Sequence, residues 1–530
     1  MTLRDILIFL GAALALRLLA AGVGRMRPNA AAAIHAWKNG FLFAASVLAL
    51  FWLQPSMPVR NLDFWLPLGT LALAVWGWIL TSPGAEAPGK LAEASGKPGE
   101  PPASAPADGS PVTAHRSRLS PFWRENLPWL GAAAGIVLLV AATRFLSPTG
   151  VITASRPPQF ELVLAGLLLV GLIAAGLVVG RKGDRPVAPT ITFLILFLLL
   201  LFLVLKTPAL AQSASAGLRG LMGQPVTNAG PLDLRWLGFS YIAFRLIHTL
   251  RERQLAKANA KVRSAPANFR EYLTYLVFFP ALTAGPIDRV ERFVKDLRAP
   301  LPALSADLYP AGERLALGLF KKFVLAGSLA LFSLSAENIG LIHGAGWMGL
   351  ALVGYALQIY FDFSGYTDIA IGLGRLLGVQ LPENFNAPYL KPNLTQFWNN
   401  WHMTLTQWFR AYFFNPVTRW MRGREWPMGL VILTTQLATF VLIGLWHGVT
   451  WNFVIWGAWH GLGIFAQNRW SEFVKPRMEW LEEHPRLKSV LAALGALATF
   501  VYVSLGWVWF ALPEPADALR VLGVLFGLSN

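Results

Sequence analysis

Cysteine is absent from the 530 residues of this sequence. That excludes disulfides, thiolate catalysis and Cys-based metal sites, and it leaves the compartment unread, because there is nothing to oxidise. Charge is scarce as well: 14% of residues are Asp, Glu, Lys or Arg, against 55% hydrophobic residues and a mean hydropathy of +0.48. Such a chain cannot hide its apolar surface in one aqueous core. Lipid must solvate much of it, and the predicted class is an all-α, polytopic integral membrane protein of about 11–13 membrane segments. Acids are the scarcer sign, 28 against 45 basic residues, which gives a formal net charge of +17. Nucleic acid is not the partner this excess implies, since the basic residues cluster in loops between apolar runs, where the positive-inside rule puts them. The chain also has no internal repeat and few acids inside its apolar runs, which argues against a proton-coupled transporter.

Apolar runs of bilayer-crossing length are plentiful. The first, Leu3 to Gly24, carries Arg17 and has no small-residue cleavage pattern, so it reads as a retained span rather than a signal peptide. Ala36–Leu53 and Leu62–Leu80 follow, and residues 1–81 form an N-terminal group of transmembrane helices. Residues 82–126 then turn to Pro, Ala, Gly and Ser with sparse mixed charge. That composition buries too little apolar area to offset ordering and predicts a disordered cytoplasmic linker. In the next region, 127–230, spans are predicted over Leu127–Leu146, Phe160–Gly180 and Ala188–Leu205, with a further one over Leu232–Leu250. Arg25, Arg27 and Lys38 flank one turn, Arg181, Lys182 and Arg185 a second, and Arg251, Arg253, Lys257, Lys261 and Arg263 a third. Placing these turns in the cytoplasm puts the N-terminus outside without a parity conflict.

Beyond Ser264 the runs become shorter and more polar. Tyr272 to Pro286 is broken by Pro280, Gly285 and Pro286 and reads as a re-entrant or buried segment. Helices are expected over Arg314–Leu334 and Trp347–Phe361. Phe361–Gly378 (FDFSGYTDIAIGLGRLLG) reads as a broken helix with polar residues at depth, a feature of substrate paths. Three of the eight histidines, His402, His447 and His460, each follow a tryptophan between Phe397 and Gly461. An imidazole in an aromatic, apolar wall is expensive unless it is hydrogen-bonded or working.

In order along the chain stand FFPALTAGPIDR, GLFKKFVLAG, QIYFDFSGYTDIAIGLGRLLG, ENFNAPYL, FWNNWHMTLTQWFR and GLWHGVTWNFVIWGAWHG. Together they resemble the membrane-bound O-acyltransferase family, in the bacterial branch of the alginate O-acetylase and the D-alanyl-teichoic-acid transfer protein. The resemblance covers residues 231–512, with 513–530 left as a C-terminal tail. It implies a catalytic core shaped as a helical bowl with re-entrant segments, with His447 at the position of the catalytic histidine and His402 at the second functional position. The chemistry agrees: moving an acyl group from a thioester to a hydroxyl needs a base for the hydroxyl proton, and a histidine suits that at neutral pH. Gly444 and Gly448 leave room beside His447 for a carrier arm or another helix. His460 reads as packing with Trp456 and Trp459.

Candidate substrate-binding residues are Asn399, Asn400, Asp362, Trp446 and Arg410. Asn399 and Asn400 either orient a donor amide or cap the turn before His402. Arg410 either neutralises a phosphate on a carrier arm or snorkels to the interface. Asp362 and Asp368 either line the donor entrance or are short polar turns. Arg245 with His248, and Lys321 with Lys322, read as interfacial anchors. No bound cofactor or metal is expected. The implied substrates are a cytoplasmic acyl thioester, on coenzyme A or an acyl carrier protein, and a hydroxyl of an extracytoplasmic glycan or envelope polymer. A second acyltransferase subunit is a further partner to be expected, and membrane lipid surrounds a multi-pass protein of the cell inner membrane. An inactive scaffold of a polysaccharide-modifying complex is the competing class.

Overall fold

The computed structural model describes residues 1–82, 121–181, 187–258 and 267–528, and the described residues contain helices and no strand. The chain opens with α1 (Leu3–Met26), α2 (Ala31–Trp52) and α3 (Leu62–Thr81), then α4 (Pro121–Ala142), α5 (Phe160–Arg181) and α6 (Ala188–Lys206). Their ends fall close to the predicted ones, because spans facing lipid are delimited by composition. On α5 the side chains of Leu162, Leu164, Leu168, Leu169 and Leu172 face outward. The predicted linker lies outside the described residues over 83–120, and its last six residues, 121–126, form the first turns of α4.

Next come α7 (Pro208–Leu221), α8 (Phe239–Ala258), the short α9 (Phe269–Val277) and α10 (Val290–Arg298). α8 starts later than Leu232 because Gly238 turns the chain at φ 78°, in close contact with the Leu282 carbonyl. Arg245 is not an interfacial anchor. It is 2% exposed and donates to the carbonyls of Leu276 and Ala281, both at 2.9 Å, satisfying the backbone of the short buried segment predicted over Tyr272–Pro286.

α11 (Leu304–Leu319) runs through a π turn over Phe320–Leu325 into α12 (Ala326–Leu329), and then comes α13 (Ala345–Leu376). α13 is continuous for 32 residues, so the predicted break at Phe361–Gly378 does not exist. Two of its polar residues are held by neighbours: Asp368 binds Arg314 at 2.5 Å and Lys321 at 2.7 Å, and Tyr366 accepts from Thr283 at 2.7 Å. A Cβ on Gly365 would sit 2.8 Å from the Gly318 carbonyl, so the backbones of α11 and α13 touch.

The C-terminal body is α14 (Leu394–Asn400), α15 (Met403–Phe409), α16 (Asn415–Arg422), α17 (Met428–His447), α18 (Trp451–Val474), α19 (Pro485–Ala511) and α20 (Pro515–Leu525). α20 lies in the expected tail, yet Ala518, Val521 and Val524 are buried in the core. Among the described residues eight helices, α1–α6, α17 and α19, are long and apolar enough to cross a bilayer. The expected number of segments was larger because it included polar helices such as α8, α13 and α18 and the short buried segment. Two cores result. One joins α1–α4, α6 and α8–α10 to the second half of α13, and an aromatic one joins α13–α15 to α17–α20. α8 is their seam, since its Tyr241 and Phe244 belong to the second core and its neighbours to the first.

Candidate active site

Asn384 organises the first histidine. It is wholly buried in the extended stretch between α13 and α14, and its carbonyl accepts from the Met403 N–H at 2.9 Å. Its side-chain Oδ1 faces the Thr404 N–H at 3.1 Å, the Thr404 hydroxyl at 2.9 Å and His402 Nδ1 at 3.2 Å. A main-chain N–H only donates, so the amide atom facing it is oxygen and His402 Nδ1 carries the proton. The Thr404 hydroxyl in turn accepts from the Ile287 N–H at 3.1 Å. His402 is thereby left with a lone pair on Nε2, which is buried and has no hydrogen-bond partner. Its backbone is left-handed, φ 43°, at the N-cap of α15. A non-glycine residue persists there only when its surroundings over-determine it.

The second histidine ends α17. Gly444 and Gly448 on either side admit α18 rather than a substrate arm: a Cβ on Gly444 would lie 2.1 Å from the Phe453 carbonyl, and one on Gly448 would lie 2.8 Å from the Phe453 ring. The His447 imidazole is partly exposed. Its ring lies among those of Trp446, Phe510, Trp456 and Phe453, at 4.4, 4.7, 5.7 and 5.8 Å, and its nitrogens bond none of the described residues. The His447 carbonyl accepts from Lys206 Nζ at 3.4 Å, and the Lys206 carbonyl accepts from the Val449 N–H at 3.0 Å. The end of α6 thus clamps the turn that carries His447.

Trp446 joins the two histidines, its ring 6.2 Å from that of His402 and 6.0 Å from Tyr241 of α8. Phe363 of α13 closes the other side of His402 at 4.7 Å. Four buried polar atoms around the two histidines have no partner: Asn384 Nδ2, His402 Nε2, Trp446 Nε1 and Trp456 Nε1. Each costs about 1–3 kcal/mol if left dry, a cost expected of a site that takes up a polar ligand or water.

Two cavities lie near this wall, and neither is lined by a histidine. One, of about 420 Å³, lies at the His447 end of α17, between Pro55, Lys206 and residues 234–240. The other, of about 170 Å³, is lined by Trp398, Asn399, Arg410, Gln436, Phe440 and Ile443. Ile443 stands about 6 Å before His447 along the helix axis.

The sequence model of the membrane-bound O-acyltransferase family matches residues 185–506. The chain belongs to the membrane-bound O-acyltransferase family. It is a multi-pass membrane acyltransferase. The match begins ahead of residue 231, the expected start of the catalytic core, and takes in Lys206. The chain is 31% identical to the teichoic acid D-alanyltransferase of Bacillus subtilis over 55% of its own length and 72% of that protein. It is 30% identical to the peptidoglycan O-acetyltransferase of Helicobacter pylori over 57% of each chain. With the probable alginate O-acetylase of Azotobacter vinelandii it shares 32% identity over 50% of each. It thus spans about half the length of the two O-acetylating relatives.

Within this membrane-bound O-acyltransferase, His402, Trp446 and His447 come together. Asn399 and Arg410 pair with each other at 2.6 Å beside the smaller cavity. Asn400 bonds back to the Gln396 carbonyl at 2.8 Å, within its own helix. Asp362 is exposed and pairs with Lys322 at 2.5 Å, so it is a surface ion pair rather than part of the histidine site. His460 stands apart, buried against Trp398 and Trp456 at 5.0 and 5.1 Å. Asn384, Thr404, Tyr241 and Lys206 are site residues that the sequence reading did not single out.

Proposed function

We propose that this enzyme moves an acyl group, acetyl or D-alanyl, from a cytoplasmic thioester to a hydroxyl of an extracytoplasmic polysaccharide or envelope polymer at the inner membrane. The observation that carries the reading is an aromatic wall holding two histidines with free ring nitrogens, with one cavity at the His447 end of α17 and another beside Phe440 and Ile443 of the same helix. The relatives named for D-alanylation and O-acetylation of such polymers give the acyl groups.

On this reading the thioester, on coenzyme A or an acyl carrier protein, enters by the cavity of Asn399 and Arg410, and the polymer, delivered with or without a second acyltransferase subunit, by the cavity of Lys206. His447 takes the proton as the acceptor oxygen adds to the thioester carbonyl, and it returns that proton to the thiolate when the C–S bond breaks. The lone pair on His402 Nε2 accepts a hydrogen bond from a donor amide or from the acceptor hydroxyl and so positions it. The catalytic body is residues 231–512, with Lys206 reaching into it from outside that range.

Acyl transfer from a radiolabelled thioester, measured in membranes, tests this. His447→Ala and His447→Gln should lower transfer by a factor on the order of 10² to 10⁴ in a protein whose detergent thermal stability is retained, and His402→Ala should cost less. Normal transfer in both histidine variants would sink the enzyme assignment of these residues, and loss in His402→Ala alone would reverse their roles.

A further inference from the structure

The larger cavity holds two cations without an acid. Lys206 ends α6 partly buried, and one of its three ammonium protons goes to the His447 carbonyl, with no carboxylate within ion-pairing distance among the described residues. Arg235 uses its Nε on the Leu232 carbonyl at 3.2 Å and leaves both terminal nitrogens unengaged. The one acid in this turn, Asp233, is already committed: it accepts from Arg219 at 2.9 Å, Ser215 at 2.6 Å and the Gly230 N–H at 3.0 Å. The same cavity is lined by Trp236, partly exposed and held by its own N–H, which donates to Thr70 Oγ1 at 2.9 Å. A fixed indole with its polar handle spent offers a flat apolar surface, and two unneutralised cations offer charge. The floor is the start of α8, Phe239 and Ser240, one residue short of Tyr241, which touches Trp446 and His402 at 6.0 and 6.5 Å.

We infer that this cavity is an acceptor subsite for a saccharide bearing an anionic group, with Lys206 and Arg235 on its carboxylate or phosphate and Trp236 under its ring. The inference rests on the proposed function for the side from which the acceptor comes, and it adds the residues that select that acceptor. A partly buried ammonium without a counter-ion is costly. An anionic ligand removes that cost, and its hydroxyl is then brought to the turn that carries His447.

The full chain, reconstituted in phosphatidylcholine nanodiscs, is titrated with tetragalacturonate and with the same oligomer as its methyl ester. The acid should bind at least tenfold more tightly than the ester. Arg235→Gln should erase that preference without moving the unfolding temperature, since Arg235 is exposed, and Lys206→Gln should do the same to the binding. Higher salt should weaken the acid and leave the ester unchanged. Equal binding of acid and ester, or an unaltered preference in both variants, overturns the proposal. So does displacement of the oligomer by phosphatidylglycerol in the disc, which would make the cavity a lipid-headgroup site. The two readings fail separately: normal transfer in His447→Ala removes the base and leaves this binding preference standing, whereas an unaltered preference in both Arg235→Gln and Lys206→Gln removes the subsite and leaves transfer intact.

Discussion

At the scale of single residues the most consequential atom is Asn384 Oδ1, which receives three donors and so sets both the tautomer and the tilt of His402. Asn384→Ala would leave those donors in a buried space without an acceptor, a loss of about 2–4 kcal/mol in stability. Transfer should fall on the order of tenfold or more beyond what the altered stability explains, read as a drop in kcat with donor KM nearly unchanged. Asn384→Asp keeps the oxygen acceptor and should recover most of both; if it behaves like the alanine variant, the hydrogen-bond account of His402 is wrong. His402 and His447 were singled out by the motifs that carry them and not by the preceding tryptophan alone, since His460 also follows a tryptophan and packs apart against Trp398. Asn384 was not, because its role exists only where a loop and the N-cap of a helix meet in space.

At the scale of elements, small residues decide how near helices come. Gly444, Gly457 and Gly461 bring α17 and α18 into backbone contact: a Cβ on Gly457 would stand 2.4 Å from the Phe440 carbonyl. Gly457→Ala should therefore separate the pair and lower the unfolding temperature in detergent by several degrees, with loss of transfer following from displacement of His447. An unchanged melting curve would show that the pair can part without strain. Asp233 ties α7 to the turn that leads into α8. Burial pushes its carboxyl up, but hydrogen bonds from Ser215 and the Gly230 N–H, with Arg219, outweigh it and hold it below the usual carboxylate range. A depressed carboxyl contributes stability that is fully present above that range and lost as the pH falls through the lowered value. Asp233→Asn should thus cost about 3 kcal/mol near pH 7, and the gap from wild type should close in strong acid. The lipid-facing helices α1–α6 could be read from composition. The limits of α8 and α13 could not, since Gly238 against Leu282 starts the first, and the partners of Asp368 and Tyr366 keep the second unbroken.

At the scale of the molecule, α1 is tied in by charge. Arg17, 1% exposed, meets Asp307 of α11 at 3.2 Å, and Asp307 also receives Arg375 of α13 at 3.2 Å. Asp307→Asn strands a buried guanidinium, while Arg17→Met leaves Asp307 with a partner, so the first should lower thermal stability more than the second by about 2 kcal/mol or more. Equal losses would mean that the triad is not the tie. The aromatic wall has a consequence of another kind. A catalytic centre reached from both faces of a bilayer is also a breach in its insulation, and the rings of Trp446, Tyr241 and Phe244, 5.6 to 6.0 Å apart around the tryptophan, line neither cavity here. Under the proposed arrangement Trp446 is the plug that keeps the proton gradient from running down through the enzyme. Vesicles carrying Trp446→Ala should lose an imposed pH gradient faster than vesicles carrying the wild type, even with no acyl donor present.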